Sequence, residues 1–449
     1  MDGDLERDVT QAAGSIPKAN ADGWFSSLAM TRDYLRDPLE MMRSIHERHG
    51  QVAQMNLFGM KAVVLLGPEA NERVLLNRDN AFSSGIGWTP VIGSTFPNGL
   101  ISLDGSRHRE DRRLIGAAFK PGPMQDYLGA MAARFSEEIA AWPEHLKFYP
   151  AIKQLTLASA ARDLLGLSLG TEVEAVSRAF VSMLGASAAL VRHPLPGNAL
   201  WRGIKARDRL NRFLLAEVPK RRERPGPDIF SAVCNAMDDE GHVLSNEAIV
   251  DHMNLLLMAA HDTTTSALTS IVYLLGRHPD WQTKVRDELA AWRDQSDQNS
   301  LYEGLRNLKI TDMVLHEALR LYPPVASLPR GLTKEIEFDG KRLPAGSAVG
   351  IHILHTHYMS ELWPEPTRFD PLRFTPDQVR ARHKYAWVPF GGGAHMCLGL
   401  HFASMQVKLF LSDLLRQRKI VVPENYEMEM QWIPISKPRD ELPITLLLR

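Results

Sequence analysis

Two short stretches carry residue types that do chemistry. The first, Phe390 to Gly399, reads Phe-Gly-Gly-Gly-Ala-His-Met-Cys-Leu-Gly. Three consecutive glycines break helix and strand alike, and they let backbone come very close to something flat or bulky. Their amides can point together at a negative centre. Cys397 then opens a helix predicted over about Leu398 to Gln417, with Phe402, Met405, Leu409, Leu411, Leu414 and Leu415 as its apolar positions. A helix N-terminus favours the thiolate, the form of cysteine that attacks or ligates. The plain alternative is a small buried cysteine beside a glycine turn. The second stretch is His261-Asp262-Thr263-Thr264-Thr265, directly after the apolar run Leu255 to Ala260. Threonines inside a buried helix can bond back to carbonyls one turn earlier and bend it. The sharper reading is a polar station that handles protons or oxygen inside an apolar pocket.

These stretches must be held by the elements around them. The helix carrying Asp262 runs from about Asn246 to Leu275, with Ser245 as N-cap, Glu247 in the first turn, and Gly276 followed by Pro279 as its end. About 30 residues give a rod of roughly 45 Å. Its middle is apolar all round, so it should cross the core. Val52 to Leu57 and Ala62 to Leu66, with Gly59 between, read as a hairpin. Glu335 to Ile353 is a third β region, broken at Gly340 and Pro344-Ala345-Gly346, and Glu429 to Leu448 reads as a last pair of strands. Helical patterns fill the rest. The expected fold is mainly α with small peripheral β-sheets, one domain over 23–449, after a small, polar, disordered stretch from Met1 to Asp22.

Composition excludes several classes. The 449 residues are 44% hydrophobic and 23% charged, as in an ordinary globular enzyme. Basic and acidic residues number 52 and 53, so no charge excess points to nucleic acid. Two cysteines, Cys234 and Cys397, rule out a disulfide framework and suit the reducing cytoplasm. No apolar run approaches the ~18–20 residues of a membrane span, so no transmembrane anchor is expected.

The cysteine loop resembles the haem-ligand loop of the cytochrome P450 family, Phe-x-x-Gly-x-(Arg/His)-x-Cys-x-Gly, at Phe390, Gly393, His395, Cys397 and Gly399. The resemblance makes Cys397 the thiolate ligand of the iron of haem b, with His395 facing a propionate and Phe390 shielding the sulfur. Further motifs match in order. Glu317 and Arg320 fit the family's Glu-x-x-Arg pair, and Pro371-Leu372-Arg373-Phe374 supplies Arg373 as third member of a buried structural triad. Gly105 to Arg112 is similar to the family's Gly-x-x-His-x-x-x-Arg helix, so His108 and Arg112 would grip a propionate, joined by Arg330 after the Pro323-Pro324 break. Ala259 to Thr264 matches the family's (Ala/Gly)-Gly-x-(Asp/Glu)-Thr-(Thr/Ser), except that Ala260 stands where glycine is usual. The expected fold is that of the family.

By this resemblance the protein is a monooxygenase inserting one atom of O2 into a C–H or C=C bond. Asp262 would feed protons and Thr263 would hold the oxygen site's hydrogen bonds. Peroxide-driven relatives lack that acid–alcohol pair, so electrons are expected from NAD(P)H only indirectly, through a separate ferredoxin or flavodoxin and its reductase. Arg107, Arg109, Arg113, Arg380, Arg382, His383 and Lys384 would form a basic docking patch. Substrate walls map to Ala81–Leu100, Phe180–Trp201 and the long helix. Ile86, Trp88, Val91, Ala259, Val325 and Ile433 are the wall residues to test, and they imply a hydrophobic small molecule: steroid, terpenoid, fatty acyl or aromatic. A monomer is expected.

Two rivals stay open. One is a haem-thiolate sensor or carrier without turnover, which has no need of Asp262 and Thr263. The other is a zinc or iron hydrolase using His352, His355 and His357. A strand would put His355 and His357 on one face with His352 opposite, and no Glu or Cys at ligand spacing accompanies them.

Overall fold

The structure is a computed structural model that describes residues 14–167, 171–187, 193–295 and 301–449. Residues 1–13 of the expected N-terminal tail and 188–192 of the Phe180–Trp201 wall lie outside the described residues. Helices dominate, and four small sheets lie around them.

The helix Asn246–Arg277 forms because its cap and its apolar run agree. Ser245 Oγ accepts from the Ala248 amide at 3.1 Å, and Glu247 sits in the first turn. Most of its length is buried in one large cluster with helices Pro121–Ala141, Phe148–Leu165, Lys309–Leu321 and Leu400–Gln417. Gly276, expected to end this helix, lies inside it. A Cβ there would meet Val422 Cγ2 at 2.5 Å, so the glycine serves close packing rather than termination.

The largest sheet has the order Val52–Leu57, Met60–Leu65, Ala348–His352, Ser327–Leu332, Phe82–Ser83. The first pair is the expected hairpin, in register from Val52↔Leu65 to Leu57↔Met60. Strand Ser327–Leu332, which carries Arg330, was not legible as a strand. The tail is not one strand pair. Met430–Gln431 pairs with Lys437–Pro438, while Pro443–Leu448 lies between His145–Lys147 and Arg418–Val421.

Residues 14–22 are not a loose tail: the Gln54 amide donates to Pro17 O at 2.8 Å, Ala19 N to Gln54 O at 2.9 Å, and Asn20 Oδ1 accepts from Asn56 N at 2.9 Å. Backbone pairing orders them where side chains give no hint. The strand expected to hold His355 and His357 ends at His352, and Ile353–Thr356 is a helical turn. His352 Nδ1 accepts from the His355 amide at 3.1 Å and so caps that turn.

Candidate active site

The cysteine loop is held by backbone geometry. Gly391 and Gly393 have φ of 68° and 61°, in the left-handed region that favours glycine. At Gly393 a Cβ would also lie 2.0 Å from Leu75 O, so no side chain fits. The Cys397 amide donates to Phe390 O at 2.9 Å and closes the loop. The Phe390 ring packs on Trp387, 6.2 Å between centroids. Arg112 donates to Met396 O at 2.6 Å, tying helix Gly105–Gly116 to the same loop. Cys397 remains accessible. Helix Leu400–Gln417 begins three residues later, capped at Gly399. Although the residue is exposed, protein atoms packed around the sulfur push the Cys397 thiol up, against the opposing Gly399 amide and Arg112 charge.

Beside the loop, polar side chains converge with few protein partners. The His108 ring lies 4.0 Å from the His395 ring, and its buried Nε2 has no hydrogen-bond partner. Burial lowers the His108 pKa to about 4. Arg330 is buried, with Nη1 donating to Pro329 O at 2.8 Å, and burial lowers its pKa to about 10. Asp104 accepts from Ser83 Oγ at 2.6 Å and from the Ser84 and Gly85 amides, and lies 3.5 Å from His395 Nε2. Sequence reading missed Asp104. Its Asp-Gly setting looks like a plain turn, and only the fold brings His395 to it.

The long helix supplies the second wall. Ala259 is exposed midway along this otherwise buried rod. Thr263 Oγ1 donates to Ala259 O at 2.7 Å, so the back-bonding foreseen for these threonines is present. Ala260 packs against the main cluster in an unbroken helix. Asp262 Oδ1 lies 3.1 Å from Lys153 Nζ and 3.1 Å from His261 Nδ1. Burial works to raise the Asp262 carboxyl, but His261 and Lys153 outweigh it and hold it below the usual value. Lys153 was not foreseen, since nothing local marks a lysine 109 positions away as a partner.

Glu317, Arg320 and Arg373 meet as the expected triad. Arg320 forks onto both carboxylate oxygens of Glu317 and also donates to the His357 and Pro366 carbonyls at 3.0 and 2.7 Å. Arg373 Nε lies 3.5 Å from Glu317 Oε1, and the Asp370 amide donates to the same oxygen at 2.9 Å.

Other expected groupings do not assemble. His352, His355 and His357 each turn to a different partner: Tyr34 OH at 3.4 Å, His46 Nδ1 at 3.0 Å, and the Val388 amide at 3.1 Å. They share no ligand point. The basic patch is partly consumed by structure. Arg113 pairs with Asp238 at 2.9 Å, Arg380 pairs with Asp377, and Arg382 lies 3.7 Å over the Trp363 ring. The wall residues divide. Trp88 and Val91 pack on the main cluster, Ile433 packs with Tyr34 and Met42, and Ile86 lies over Gly331 with half its surface open. Val325 is half-buried just before strand Ser327–Leu332.

The family model described as Cytochrome P450 matches residues 23–442. The chain belongs to the cytochrome P450 family. It is 35% identical over 424 residues to "Putative cytochrome P450 136" of Mycobacterium tuberculosis, covering 92% of this chain and 85% of that one. It is 28% identical to "Pentalenene oxygenase" of Streptomyces avermitilis, covering 86% and 88%. The solved structure of retinoic acid bound cyanobacterial CYP120A1 superposes with a TM-score of 0.85 at 29% identity, covering 97% of this chain and all of that one. As a cytochrome P450 the protein is a haem-dependent monooxygenase. The site's chemistry fits that cofactor: an accessible cysteine on a loop fixed by glycines, a buried His108 Nε2 without a protein partner, and a buried Arg330 bonded only to the neighbouring Pro329 carbonyl. No described helix is long and apolar enough to cross a membrane.

Proposed function

We propose that this cytochrome P450 oxygenates an apolar isoprenoid, with electrons delivered by a separate ferredoxin or flavodoxin and its reductase. The observation that carries the reading is the Ala259–Thr263 segment, an accessible stretch with an acid and a hydroxyl midway along a buried helix. The substrate class is supported by two relatives, one named for pentalenene and one holding retinoic acid. Trp88, Val91, Ala259 and Val325, with Ile86 and Ile433 at the margins, would form the apolar wall.

When bound, the haem supplies oxygen activation and the insertion itself. The chain's own residues orient and protonate. Cys397 would ligate the iron, with Phe390, Gly393 and Gly399 shaping the loop around the sulfur. His108, Arg112, Arg330 and His395 would hold the propionates by charge-assisted bonds. Asp262 carries protons inward, and Thr263 hands them on from its hydroxyl. Glu317, Arg320 and Arg373 keep the surrounding loops in place. Arg107, Arg109 and Lys384 remain at the surface to steer an acidic electron donor. This reading has one domain over 23–449, with residues 14–22 paired onto its hairpin, working as a monomer in the cytoplasm.

The test is a spectral titration of the purified haem-loaded enzyme with a cyclic sesquiterpene, retinoic acid and a saturated fatty acid, followed by turnover with a surrogate ferredoxin, its reductase and NADPH. The isoprenoids should shift the iron spin state and yield oxygenated product. A shift by the fatty acid alone, or electron transfer with no oxygenated isoprenoid, contradicts the reading.

A further inference from the structure

His261 and Asp262 stand side by side, and one residue from another helix grips both. The carbonyl oxygen of Lys153, in helix Phe148–Leu165, lies 3.2 Å from His261 Nε2. The ammonium of the same Lys153 lies 3.1 Å from Asp262 Oδ1, and His261 Nδ1 lies 3.1 Å from that same oxygen. His261 is fully buried. The Phe180 ring stands edge-on to His261 at 6.0 Å, and the Tyr149 ring lies beyond Lys153. Thr265 Oγ1 donates to the His261 carbonyl at 3.0 Å and meets Thr156 Oγ1 at 2.7 Å, which fastens the two helices at this level.

Proton counting decides what this arrangement holds. A carbonyl oxygen only accepts, so Nε2 must carry a hydrogen to satisfy the Lys153 contact. In a neutral ring Nδ1 would then turn a lone pair toward the Asp262 oxygen. The other neutral tautomer turns a lone pair toward the Lys153 carbonyl instead. Either choice sets two electron-rich atoms about 3 Å apart, and burial makes such a clash costly. One more proton removes it. Nδ1 and Oδ1 stand at ion-pair distance but off the hydrogen-bond line in the resting geometry, so the proton passes between them only when the ring or the carboxylate turns.

We propose that His261 and Asp262 hold one proton in common, and that His261 is the positioning residue from which Asp262 is reloaded after each proton it gives up. This rests on the reading of Asp262 and Thr263 as the proton path. At rest the proton is on Nδ1, as imidazolium beside carboxylate. When it moves to Oδ1, His261 is left neutral with its Nε2–H still on the Lys153 carbonyl. Lys153, about one-third exposed, marks the side from which solvent restores the proton. One proton leaves, one enters, and no electrons move.

Nitrogen NMR of the haem-loaded, histidine-labelled protein in its diamagnetic reduced, carbon-monoxide-bound form reads this directly, with His261→Gln identifying the His261 signals. Both ring nitrogens should be protonated at neutral pH, and only Nε2 in Asp262→Asn. A neutral His261 in the unaltered protein overturns the proposal. In turnover, His261→Gln can still donate to the Lys153 carbonyl but cannot take on a proton. It should lower product formed per NADPH several-fold with the substrate-induced spin shift intact, and add nothing in an Asp262→Asn background. Unchanged coupling in His261→Gln also overturns it. Unchanged coupling in Asp262→Asn is a separate failure, that of the proton path itself.

Discussion

Arg320 and Glu317 meet as a two-pronged pair, with Nε 2.6 Å from Oε2 and Nη2 2.7 Å from Oε1, and neither residue is exposed. Burial pushes the Glu317 carboxyl up, and the Arg320 fork, the Asp370 amide and Arg373 oppose it. A pair so placed is costly to break, because the surviving partner is a buried charge.

Arg320→Leu should therefore lose about 3–5 kcal/mol of stability. Arg320→Lys should recover little of it, since an ammonium cannot fork onto both oxygens while reaching the His357 and Pro366 carbonyls. Urea denaturation with haem content read on the same samples checks this. A change within about 0.5 kcal/mol, the range of ordinary surface substitutions, would count against the structural role.

Gly393→Ala places a methyl 2.0 Å from Leu75 O at a φ of 61°. The left-handed conformation alone costs about 1–2 kcal/mol, and the clash adds to it. The loop must shift and carry Cys397 with it. The variant should show a weakened or absent haem-thiolate band, whereas Gly122→Ala, where nothing lies within 4 Å, should match the unaltered protein.

Thr263→Ala removes the hydroxyl that sits on Ala259 O without opening the core. Haem binding and substrate-induced spectra should persist, while electrons pass increasingly to hydrogen peroxide. Asp262→Asn should slow turnover on the order of 100-fold at unchanged substrate affinity. Peroxide assays alongside product quantification check both.

Acid should unfold the protein through its buried histidines. Burial lowers the pKa from 6.5 to about 4 at His355 and to about 3 at His352 and His357. The unfolded chain then binds more protons below pH 6.5, so stability is full above that value and falls as pH drops toward 4. His355→Gln removes one of these groups, which faces His46 at 3.0 Å. Its stability should fall less steeply over the same window in urea melts. An unchanged slope would show that His355 takes no part.

Much of this was legible because local chemistry and global fold agree. Ser245 and the apolar run announce the long helix, and consecutive glycines announce a loop that no side chain could occupy. Strand Ser327–Leu332 was hidden by Pro329 and Gly331, which usually argue against strands. The sheet tolerates Pro329 because its neighbour Phe82–Ser83 reaches only Gly331 and Leu332. The partners of Asp262 and His395 were hidden for a different reason. Lys153 and Asp104 are distant in sequence, and only the packed helices bring them to 3.1 and 3.5 Å. Arg382 misled for the opposite reason: its charge suggests a surface, yet it lies on Trp363.

Every role proposed for the other residues depends on Cys397 as the iron's ligand. The most direct measurement is the absorption spectrum of the reduced protein under carbon monoxide, for the unaltered chain and for Cys397→Ala. The unaltered protein should show the red-shifted Soret band of thiolate ligation, and the variant should lack it. A band at the position typical of imidazole ligation in the unaltered protein, or a thiolate band that survives Cys397→Ala, would contradict the account.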